Sequence, residues 1–304
     1  MTRQDSLVGQ SIAGFRLLED VGEGGTAAVY RAEHPERGLA AIKILRARLA
    51  QDPVAVKRFL REAEFGVRID HPNIVHTYDF GELDGRYYLA LEWAPGEPLG
   101  TFAARAGRLA PPLVARIIEQ LGAALGAAHA QGIIHRDLKP ANVMYDPATQ
   151  GVKLLDFGIA RDADLKPEDR LTRTGFFVGT LQYVAPESLS GELVTEQADV
   201  YSLATITYFL LSGALPYTGR SPRELFQQLL SEPPEPLNQA IKGRKLSGAI
   251  EAAVMRGLER DLTRRSRGMP EFVGEFCGAV RQSEGRKAGL FATLFQKPGR
   301  RDDG

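Results

Sequence analysis

The sequence has little of several features that would place it in a specialised class. It contains one cysteine, Cys277, among 304 residues, which excludes an internal disulfide and favours a reducing compartment. The formal net charge is +0, which argues against a surface built for nucleic acid. No apolar run approaches the ~20 residues that span a bilayer, and the first ten residues lack the apolar core of a signal peptide. We therefore predict a cytoplasmic protein without a transmembrane span and without a nucleic-acid partner.

The remaining composition is that of an ordinary globular protein, with 43% hydrophobic and 25% charged residues. Residues 15–93 read mainly as strands, with one helix that begins at Asp52-Pro53, a typical N-cap followed by proline. Residues 94–98 combine proline and glycine, and helical patterns dominate from 99 to 281. The pattern predicts an α+β protein of two lobes: a small antiparallel β lobe with one helix, a hinge at 94–98 and a larger, mainly helical lobe. Residues 1–14 are expected to be an N-terminal extension.

A glycine-rich turn and a lysine in a strand are the first candidates for chemistry. The segment GEGGTAAVY, residues 22–30, joins two strands by a turn whose backbone N–H groups can approach phosphate oxygens. Taken alone, a tight hairpin without a ligand explains it equally well. Lys43 lies within an apolar strand, where a cation costs free energy unless it is paired. Glu62 on the following helix is the candidate partner, and an exposed lysine on an edge strand is the alternative.

Three further motifs follow in a fixed order. They are His135-Arg136-Asp137-Leu138-Lys139-Pro140-Ala141-Asn142, Asp156-Phe157-Gly158 and Ala185-Pro186-Glu187. Together with the glycine-rich turn, Lys43 and Glu62, they resemble the motifs of eukaryotic-like (Hanks-type) serine/threonine protein kinases, with the bacterial members most similar in pattern. The resemblance covers residues 15–281 and implies the bilobal protein-kinase fold.

The resemblance implies a role for each motif residue in phosphoryl transfer from ATP. Lys43 would hold the α- and β-phosphates and be oriented by Glu62. Asp156 and Asn142 would bind Mg²⁺, with Mn²⁺ as an alternative. Asp137 would accept the proton of the attacking hydroxyl, and Lys139 would neutralise charge on the transferred group.

The resemblance also implies an ATP pocket between the lobes. The glycine-rich loop would cover the phosphates with residues Gly22, Glu23, Gly24, Gly25, Thr26 and Ala27. The adenine would contact Val29, Ala41, Leu91 and Met144, and the backbones of Glu92 and Ala94 would read its edge. Ala27 stands where the family has its third glycine, and an alanine forced to positive φ would cost roughly 1–2 kcal/mol.

Lys139 and Thr180 resemble the residues of serine/threonine kinases rather than tyrosine kinases, so the expected substrates are proteins with serine or threonine acceptors. Arg136 and Arg161, with Arg58 one turn before Glu62, would bind a phosphate together. The candidate phosphosites are Thr172 and Thr174, whose spacing resembles bacterial kinases that phosphorylate themselves. Pairing of two copies for phosphorylation in trans remains open.

The resemblance assigns structural roles to a few more residues. Glu187 would pair with a buried arginine, for which Arg265 has the best spacing and Arg264 the next best. Asp199 would anchor the backbone of the catalytic loop, which is the motif at residues 135–142. Gly66 and Thr77 replace larger apolar residues of the family, so we expect the helix that carries Glu62 to be loosely held.

The last segment, residues 282–304, is basic and is expected to be a disordered tail. Leu290, Phe291, Leu294 and Phe295 form one short apolar face, so contact with a membrane surface or a partner is the alternative. Two other functions compete with an active kinase. A pseudokinase or scaffold would have lost Lys43, Asp137 or Asp156, and a small-molecule phosphotransferase usually lacks the motif at 185–187.

Overall fold

The computed structural model describes residues 7–23, 25–156, 181–190, 193–243 and 245–295. The chain forms a small lobe built on an antiparallel sheet and a larger, mainly helical lobe. This arrangement confirms the fold class predicted from the sequence.

The small lobe is a six-stranded sheet in the order β1-β2-β3-β4-β6-β5, and every neighbouring pair is antiparallel. The strands are β1 (Ser11–Ile12), β2 (Phe15–Glu23), β3 (Ala27–His34), β4 (Gly38–Leu45), β5 (Thr77–Leu83) and β6 (Arg86–Glu92). Helices α1 (Ala47–Ala50) and α2 (Pro53–Arg68) connect β4 to β5.

Alternation along β4 explains why the sheet has two apolar faces. Successive side chains of a strand point to opposite faces. Ala40, Ile42 and Ile44 are buried in one cluster, which Phe15 and Tyr88 complete. The opposite face of the sheet packs against α2, and its cluster of buried residues comprises Ala27, Leu45, Phe59, Ala63, Val75, Leu89, Leu91 and Ala94. Lys43 lies between Ile42 and Ile44 in β4, so its side chain points to the opposite face of the sheet, towards α2.

The start of α2 is the one predicted. The Asp52 carboxylate accepts a hydrogen bond from the Val54 N–H at 2.9 Å, and Pro53 occupies the first helical position. The first N–H groups of a helix have no partner within the helix. The Asp52 carboxylate satisfies the N–H of Val54, and Pro53 has no N–H that would need a partner. The cap fixes the register of α2 and therefore the position of Glu62.

Gly66 on α2 and Thr77 on β5 lie in close contact, which argues against loose packing of α2 on the sheet. The weaker packing expected between α2 and Phe157 falls on a residue outside the described ranges. A Cβ atom at Gly66 would lie 2.4 Å from Thr77 Oγ1, and both residues are buried. The remaining cavity beside them, also lined by Glu62, has a volume of about 20 Å³, which is room for about one water molecule. The glycine allows α2 to approach β5 closely, so these two small residues match rather than weaken the contact.

A substitution pair tests this match. Gly66→Ala is expected to destabilise the wild type, because overpacking costs about 1–3 kcal/mol. In a Thr77→Ala background the same change should stabilise by up to about 1 kcal/mol, since alanine then gains its higher helix propensity. Gly126→Ala in the large lobe is the control, because a Cβ there meets nothing within 4 Å. Denaturant unfolding measures all four variants, and equal effects of Gly66→Ala in both backgrounds would contradict the match.

Two predicted boundaries differ from the structure. Ser11 and Ile12 pair with β2, and Ile12 is buried beside Phe15, so part of the predicted extension 1–14 belongs to the small-lobe sheet. The end of the predicted hinge 94–98 forms strand β7 (Glu97–Pro98), which pairs with strand β8 (Val143–Asp146). Gly96 makes this turn possible: its φ is +92°, and a Cβ would lie 2.1 Å from the Tyr145 carbonyl oxygen.

The large lobe combines helices with a small sheet in the order β7-β8-β9. Its strands β8 (Val143–Asp146) and β9 (Gly151–Leu154) form a hairpin. The helices are α3 (Leu99–Ala106), α4 (Pro111–Ala130), α5 (Pro186–Ser190), α6 (Gln197–Ser212), α7 (Pro222–Ser231), α8 (Leu237–Ala240), α9 (Gly248–Gly257) and α10 (Met269–Phe295). Fourteen of the sixteen residues of α6 are buried, so this helix is the centre of the lobe.

The last helix is longer than predicted. The sequence pattern ended it at Arg281 and began a disordered tail at 282, whereas α10 continues to Phe295. The apolar residues at 290, 291, 294 and 295 recur at helical spacing, which explains the continuation. Residues 296–304 lie outside the described ranges. Within those ranges, every helix is too short or too polar to cross a membrane.

Candidate active site

Lys43 joins the two lobes at the site. Its Nζ lies 3.3 Å from Glu62 Oε1 and forms an ion pair with Asp156 Oδ1. β4 supplies the lysine, α2 supplies the glutamate, and the aspartate follows β9 of the large lobe. The predicted partner of Lys43 is therefore in contact, and the lysine is not an exposed edge-strand residue.

The two carboxylates keep the lysine charged. Burial by itself lowers the pKa of Lys43, but the negative charges of Asp156 and Glu62 outweigh it and raise this pKa above its usual value. Burial raises the pKa of Glu62, although the ion pair with Lys43 opposes the shift. A permanent cation between two carboxylates is suited to bind an anionic group that enters the cleft.

The catalytic loop brings a second set of polar groups together. The Lys139 ammonium lies 2.9 Å from Asp137 Oδ2. The Asn142 amide N–H₂ donates to the Asp137 carbonyl oxygen at 2.8 Å and to its Oδ2 at 3.1 Å. The Lys139 ammonium and the Asn142 amide thus fix the orientation of the Asp137 carboxylate. In proton transfer the ammonium would lie beside this carboxylate.

Asn142 and Asp156 stand at the same end of the β8–β9 hairpin. The Leu155 N–H donates to the Asn142 carbonyl oxygen at 2.8 Å, next to the Val143–Leu154 register pair. This link sets the side chains of Asn142 and Asp156 on one side of the cleft.

Their donor atoms fit a magnesium ion that is shared with phosphates. The amide nitrogen of Asn142 makes both bonds to Asp137, which leaves its amide oxygen for a metal, and Asp156 keeps one oxygen beyond the ion pair with Lys43. Mg²⁺ is typically bound by one or two protein oxygens, waters and substrate phosphates rather than by an all-protein cage. In the described parts of the chain, no cluster of His, Cys, Asp or Glu forms such a cage.

Asp199 on α6 anchors the catalytic loop. Its carboxylate accepts hydrogen bonds from the backbone N–H groups of His135 at 2.8 Å and Arg136 at 3.0 Å. Arg136 has φ +63°, an uncommon conformation for a residue with a side chain. Two charge-assisted bonds therefore hold a strained turn next to Asp137. The role implied for Asp199 has this geometric support.

His129 is a partner of Asp199 that the sequence analysis missed. The residue lies in the last turn of α4, and its Nε2 is 2.8 Å from Asp199 Oδ2. The only local signal is a polar residue beside the apolar stripe of α4. Its partner is 70 residues away, and periodicity cannot predict such a contact.

The side chain of His135 is neutral and fixes the loop from within. Burial lowers its pKa below the usual value. The ring accepts the Asp137 N–H at Nδ1, at 3.3 Å, and its Nε2 lies 3.2 Å from the Leu155 carbonyl oxygen. A carbonyl can only accept, so Nε2 carries the proton. The ring joins the catalytic loop to the residue before Asp156.

The predicted nucleotide pocket is assembled from both lobes. Ala41 and Leu91 are register partners on β4 and β6, and Val29 pairs with Lys43. Met144 from β8 packs against the same cluster as Leu91 and Ala94. The structure thus brings the apolar residues expected around an adenine ring close together, next to the hinge residue Ala94.

The glycine-rich turn is held at its base by the chain after β4. Arg48 donates to the Gly25 carbonyl oxygen at 2.8 Å, and the Arg46 N–H donates to the Thr26 carbonyl oxygen at 3.0 Å. Gly22 pairs with Val29 across the hairpin.

The expectation of strain at Ala27 is wrong. Ala27 is a regular residue of β3, where it pairs with Leu45 and is buried. It is not among the described residues with positive φ. The residues of the turn therefore come before Ala27, and an alanine at this position causes no backbone strain.

Glu187 pairs with Arg265 and not with Arg264. The guanidinium makes two bonds to the carboxylate, at 2.6 and 3.1 Å, and both side chains are almost completely buried. Arg265 also donates to the carbonyl oxygens of Glu259 and Gln197. Arg264 lies on the surface.

Several predicted residues lie outside the described ranges: Gly24, Arg161, Thr172, Thr174 and Thr180. Of the three arginines expected to bind a phosphate, Arg58 and Arg136 are described. The Nε of Arg58 is buried and has no hydrogen-bond partner among the described residues.

The small antiparallel lobe, the helical lobe and the Lys43–Glu62–Asp156 contacts between them define a protein-kinase core. A comparison with family profiles matches residues 15–265 to the protein kinase domain. The chain therefore belongs to the protein kinase domain family, as the sequence motifs predicted.

Curated relatives include bacterial serine/threonine-protein kinases. PknH of Mycobacterium bovis is 38% identical over 259 residues, which cover 84% of this chain and 42% of PknH. Pkn3 of Myxococcus xanthus is 36% identical over 278 residues, which cover 89% of this chain and 51% of Pkn3. The chain thus spans about half of these relatives or less.

Solved structures share the fold. The PknI kinase domain of Mycobacterium tuberculosis is 29% identical, with a TM-score of 0.69 over 89% of this chain and 98% of that domain. Rad53 residues 1–466, crystallised with AMP-PNP, are 28% identical, with a TM-score of 0.70 over 87% of this chain and 65% of that one.

Proposed function

We propose that this chain is a serine/threonine protein kinase that transfers the γ-phosphoryl group of ATP to serine and threonine hydroxyls of proteins, with Mg²⁺ or Mn²⁺ as the metal. The observation that carries the proposal is the contact of Lys43 with both Glu62 and Asp156. It joins the small lobe to the side of the cleft at which we propose that the metal binds. The kinase relatives, and AMP-PNP in the Rad53 structure, support ATP as the phosphoryl donor.

The residues of the site divide the work between positioning and proton transfer. Lys43, oriented by Glu62, binds the α- and β-phosphates of the nucleotide. Asp156 and Asn142 hold the metal, which neutralises charge on the phosphates when it is bound. Asp137 accepts the proton of the incoming hydroxyl, and Lys139, 2.9 Å from it, stabilises charge on the transferred group. Thr180 is proposed to orient the acceptor through Asp137 and Lys139.

Activation by autophosphorylation forms part of the proposal. Thr172 and Thr174 are the sites, and Arg58, Arg136 and Arg161 bind the new phosphate. The buried Nε of Arg58, which lacks a hydrogen-bond partner among the described residues, supports this assignment, because a buried donor without an acceptor costs free energy. A second copy of the chain would present the threonines in trans. A cytoplasmic location is proposed as well.

Incubation with labelled ATP and Mg²⁺ tests the proposal. The wild type is expected to label itself, and phosphopeptide mapping is expected to find Thr172 and Thr174. Lys43→Met should lower the labelling rate by about 100-fold or more, the scale for loss of one electrostatic contact to the transition state. Lys57→Met is the control, because Lys57 is an exposed lysine of α2.

Each other outcome has a definite meaning. A wild type that binds ATP without transferring phosphate would favour the pseudokinase alternative. Labelling of Lys43→Met at the wild-type rate would remove Lys43 from the mechanism. Labelling confined to other residues would refute the activation sites while leaving the kinase activity.

A further inference from the structure

Lys153 and Glu92 form an ion pair next to the hinge. The Lys153 Nζ lies 2.7 Å from Glu92 Oε1 and 2.8 Å from Oε2. The exposed fractions of the two side chains are 23% and 26%, so water screens the pair only in part. Glu92 ends β6 in the small lobe, whereas Lys153 lies on β9 in the large lobe. The pair thus crosses from one lobe to the other.

Glu92 is also held by the segment between α2 and β5. The His76 N–H donates to Glu92 Oε2 at 3.2 Å, and the Glu92 N–H donates to the His76 carbonyl oxygen at 2.8 Å. A carboxylate with a bidentate cation on one side and an N–H on the other has little freedom. The side chain of Glu92 therefore fixes the backbone of its own residue.

The strand that carries Lys153 is a firm support. The Leu154 N–H donates to the Asn73 carbonyl oxygen at 2.8 Å, and the Val75 N–H donates to the Leu154 carbonyl oxygen at 3.0 Å. Asn73 Nδ2 adds a bond of 2.9 Å to the Val152 carbonyl oxygen. Because β9 is bonded on both sides of Lys153, the lysine holds Glu92 at a defined place relative to the large lobe.

We propose that the Lys153–Glu92 pair positions the hinge backbone that reads the purine base. This inference rests on the proposed function, in which the backbones of Glu92 and Ala94 bind the base edge. Recognition of the edge of the base requires backbone donors and acceptors of the hinge at fixed positions. A wrong base is then rejected because it leaves these backbone groups without hydrogen-bond partners. Lys153 is thus a positioning residue for nucleotide choice. It has no part in the phosphoryl-transfer step.

The affinities of the full chain for Mg-ATP and Mg-GTP, measured by calorimetry, test the inference. Lys153→Met should raise the dissociation constant for ATP about two- to fivefold, the range for a partly exposed pair, and that for GTP less, so discrimination falls. Lys153→Arg should restore the wild-type values. Glu92→Gln and the double variant should match Lys153→Met, because the three changes remove one interaction. Lys57→Met, at an exposed site, controls for loss of a charge.

The turnover number separates this role from a catalytic one. Lys153→Met should keep kcat within about twofold of wild type while KM for ATP rises, since uniform loss of binding changes KM alone. The inference would be overturned if Lys153→Met left the affinity for ATP unchanged or weakened ATP and GTP equally. It would also be overturned if the effects of Lys153→Met and Glu92→Gln were additive, or if Lys153→Arg failed to restore affinity. A wild type that binds ATP with this pattern but transfers no phosphate would overturn the proposed function only. A wild type that binds no nucleotide would overturn both.

Discussion

Asp156→Asn should reduce the single-turnover rate of phosphoryl transfer at least about tenfold more than the matched change Asp137→Asn. Phosphoryl transfer depends mainly on positioning and cations, and positioning can contribute about 7–11 kcal/mol to the barrier. A general base contributes only about 10²–10⁴-fold. Asp156 contacts Lys43 and is the proposed metal ligand, so its charge organises several groups at once.

The two asparagine variants are matched in shape, so they differ mainly in which charge is lost. Asp156 has φ +26°, a region in which asparagine is well tolerated, so the backbone should keep its place. Asp70→Asn, at an exposed position after α2, should leave the rate unchanged. Rapid-quench measurement at saturating Mg-ATP gives the rates. Equal rates for the two variants would contradict the expected ranking, in which positioning by Asp156 outweighs proton transfer by Asp137.

Arg265→Met should unfold the large lobe at a much lower temperature. The arginine is fully buried and makes a bidentate pair with Glu187, and removal of one partner leaves an uncompensated buried charge, at a cost of about 3–5 kcal/mol. The unfolding entropy is about 2.1 cal/mol/K per residue, so for a chain of 304 residues that cost corresponds to a fall in Tm of roughly 5–8 °C. Differential scanning calorimetry measures it.

Two further variants show whether the charge itself is responsible. Arg264→Met removes the neighbouring surface arginine, whose ion pair with Glu259 is exposed, and should lower stability by at most about 1 kcal/mol. The double variant Glu187→Leu/Arg265→Met removes both charges and should be more stable than Arg265→Met alone. A double variant less stable than the single one would mean that lost packing, and not an unpaired carboxylate, explains the effect.

Local chemistry made the small lobe predictable from sequence. The cap at Asp52 and Pro53 is set by neighbouring residues, and the hairpin at Asp84 and Gly85 has positive φ at both positions, as that dipeptide favours. Strand β7 was not predicted, because Glu97-Pro98 belongs to a segment rich in proline and glycine, and the helix that follows it contains Gly100 in its first turn. Gly100 lies against Pro140, so a tertiary contact outweighs the weak local signal.

The site was predictable where a motif is local and unpredictable where two segments meet. Lys43, Asp137 and Asp156 stand in short, ordered motifs that imply their roles. The bonds of His129 to Asp199 and of Lys153 to Glu92 join residues 70 and 61 positions apart, and no periodicity records them. The close contact of Gly66 with Thr77 was not predicted for the same reason: each residue looks too small until its neighbour is known.

Cys277 gives the chain a practical property for spectroscopy. The thiol is buried in α10, its Sγ lies 3.6 Å from the Ala115 carbonyl oxygen, and burial raises its pKa to about 12. Maleimide and iodoacetamide react with the thiolate, which is scarce at neutral pH under these conditions. A cysteine placed on the surface of each lobe could therefore be labelled with a dye pair while the native thiol stays in place. Opening and closing of the cleft would then be visible as energy transfer in otherwise unaltered protein.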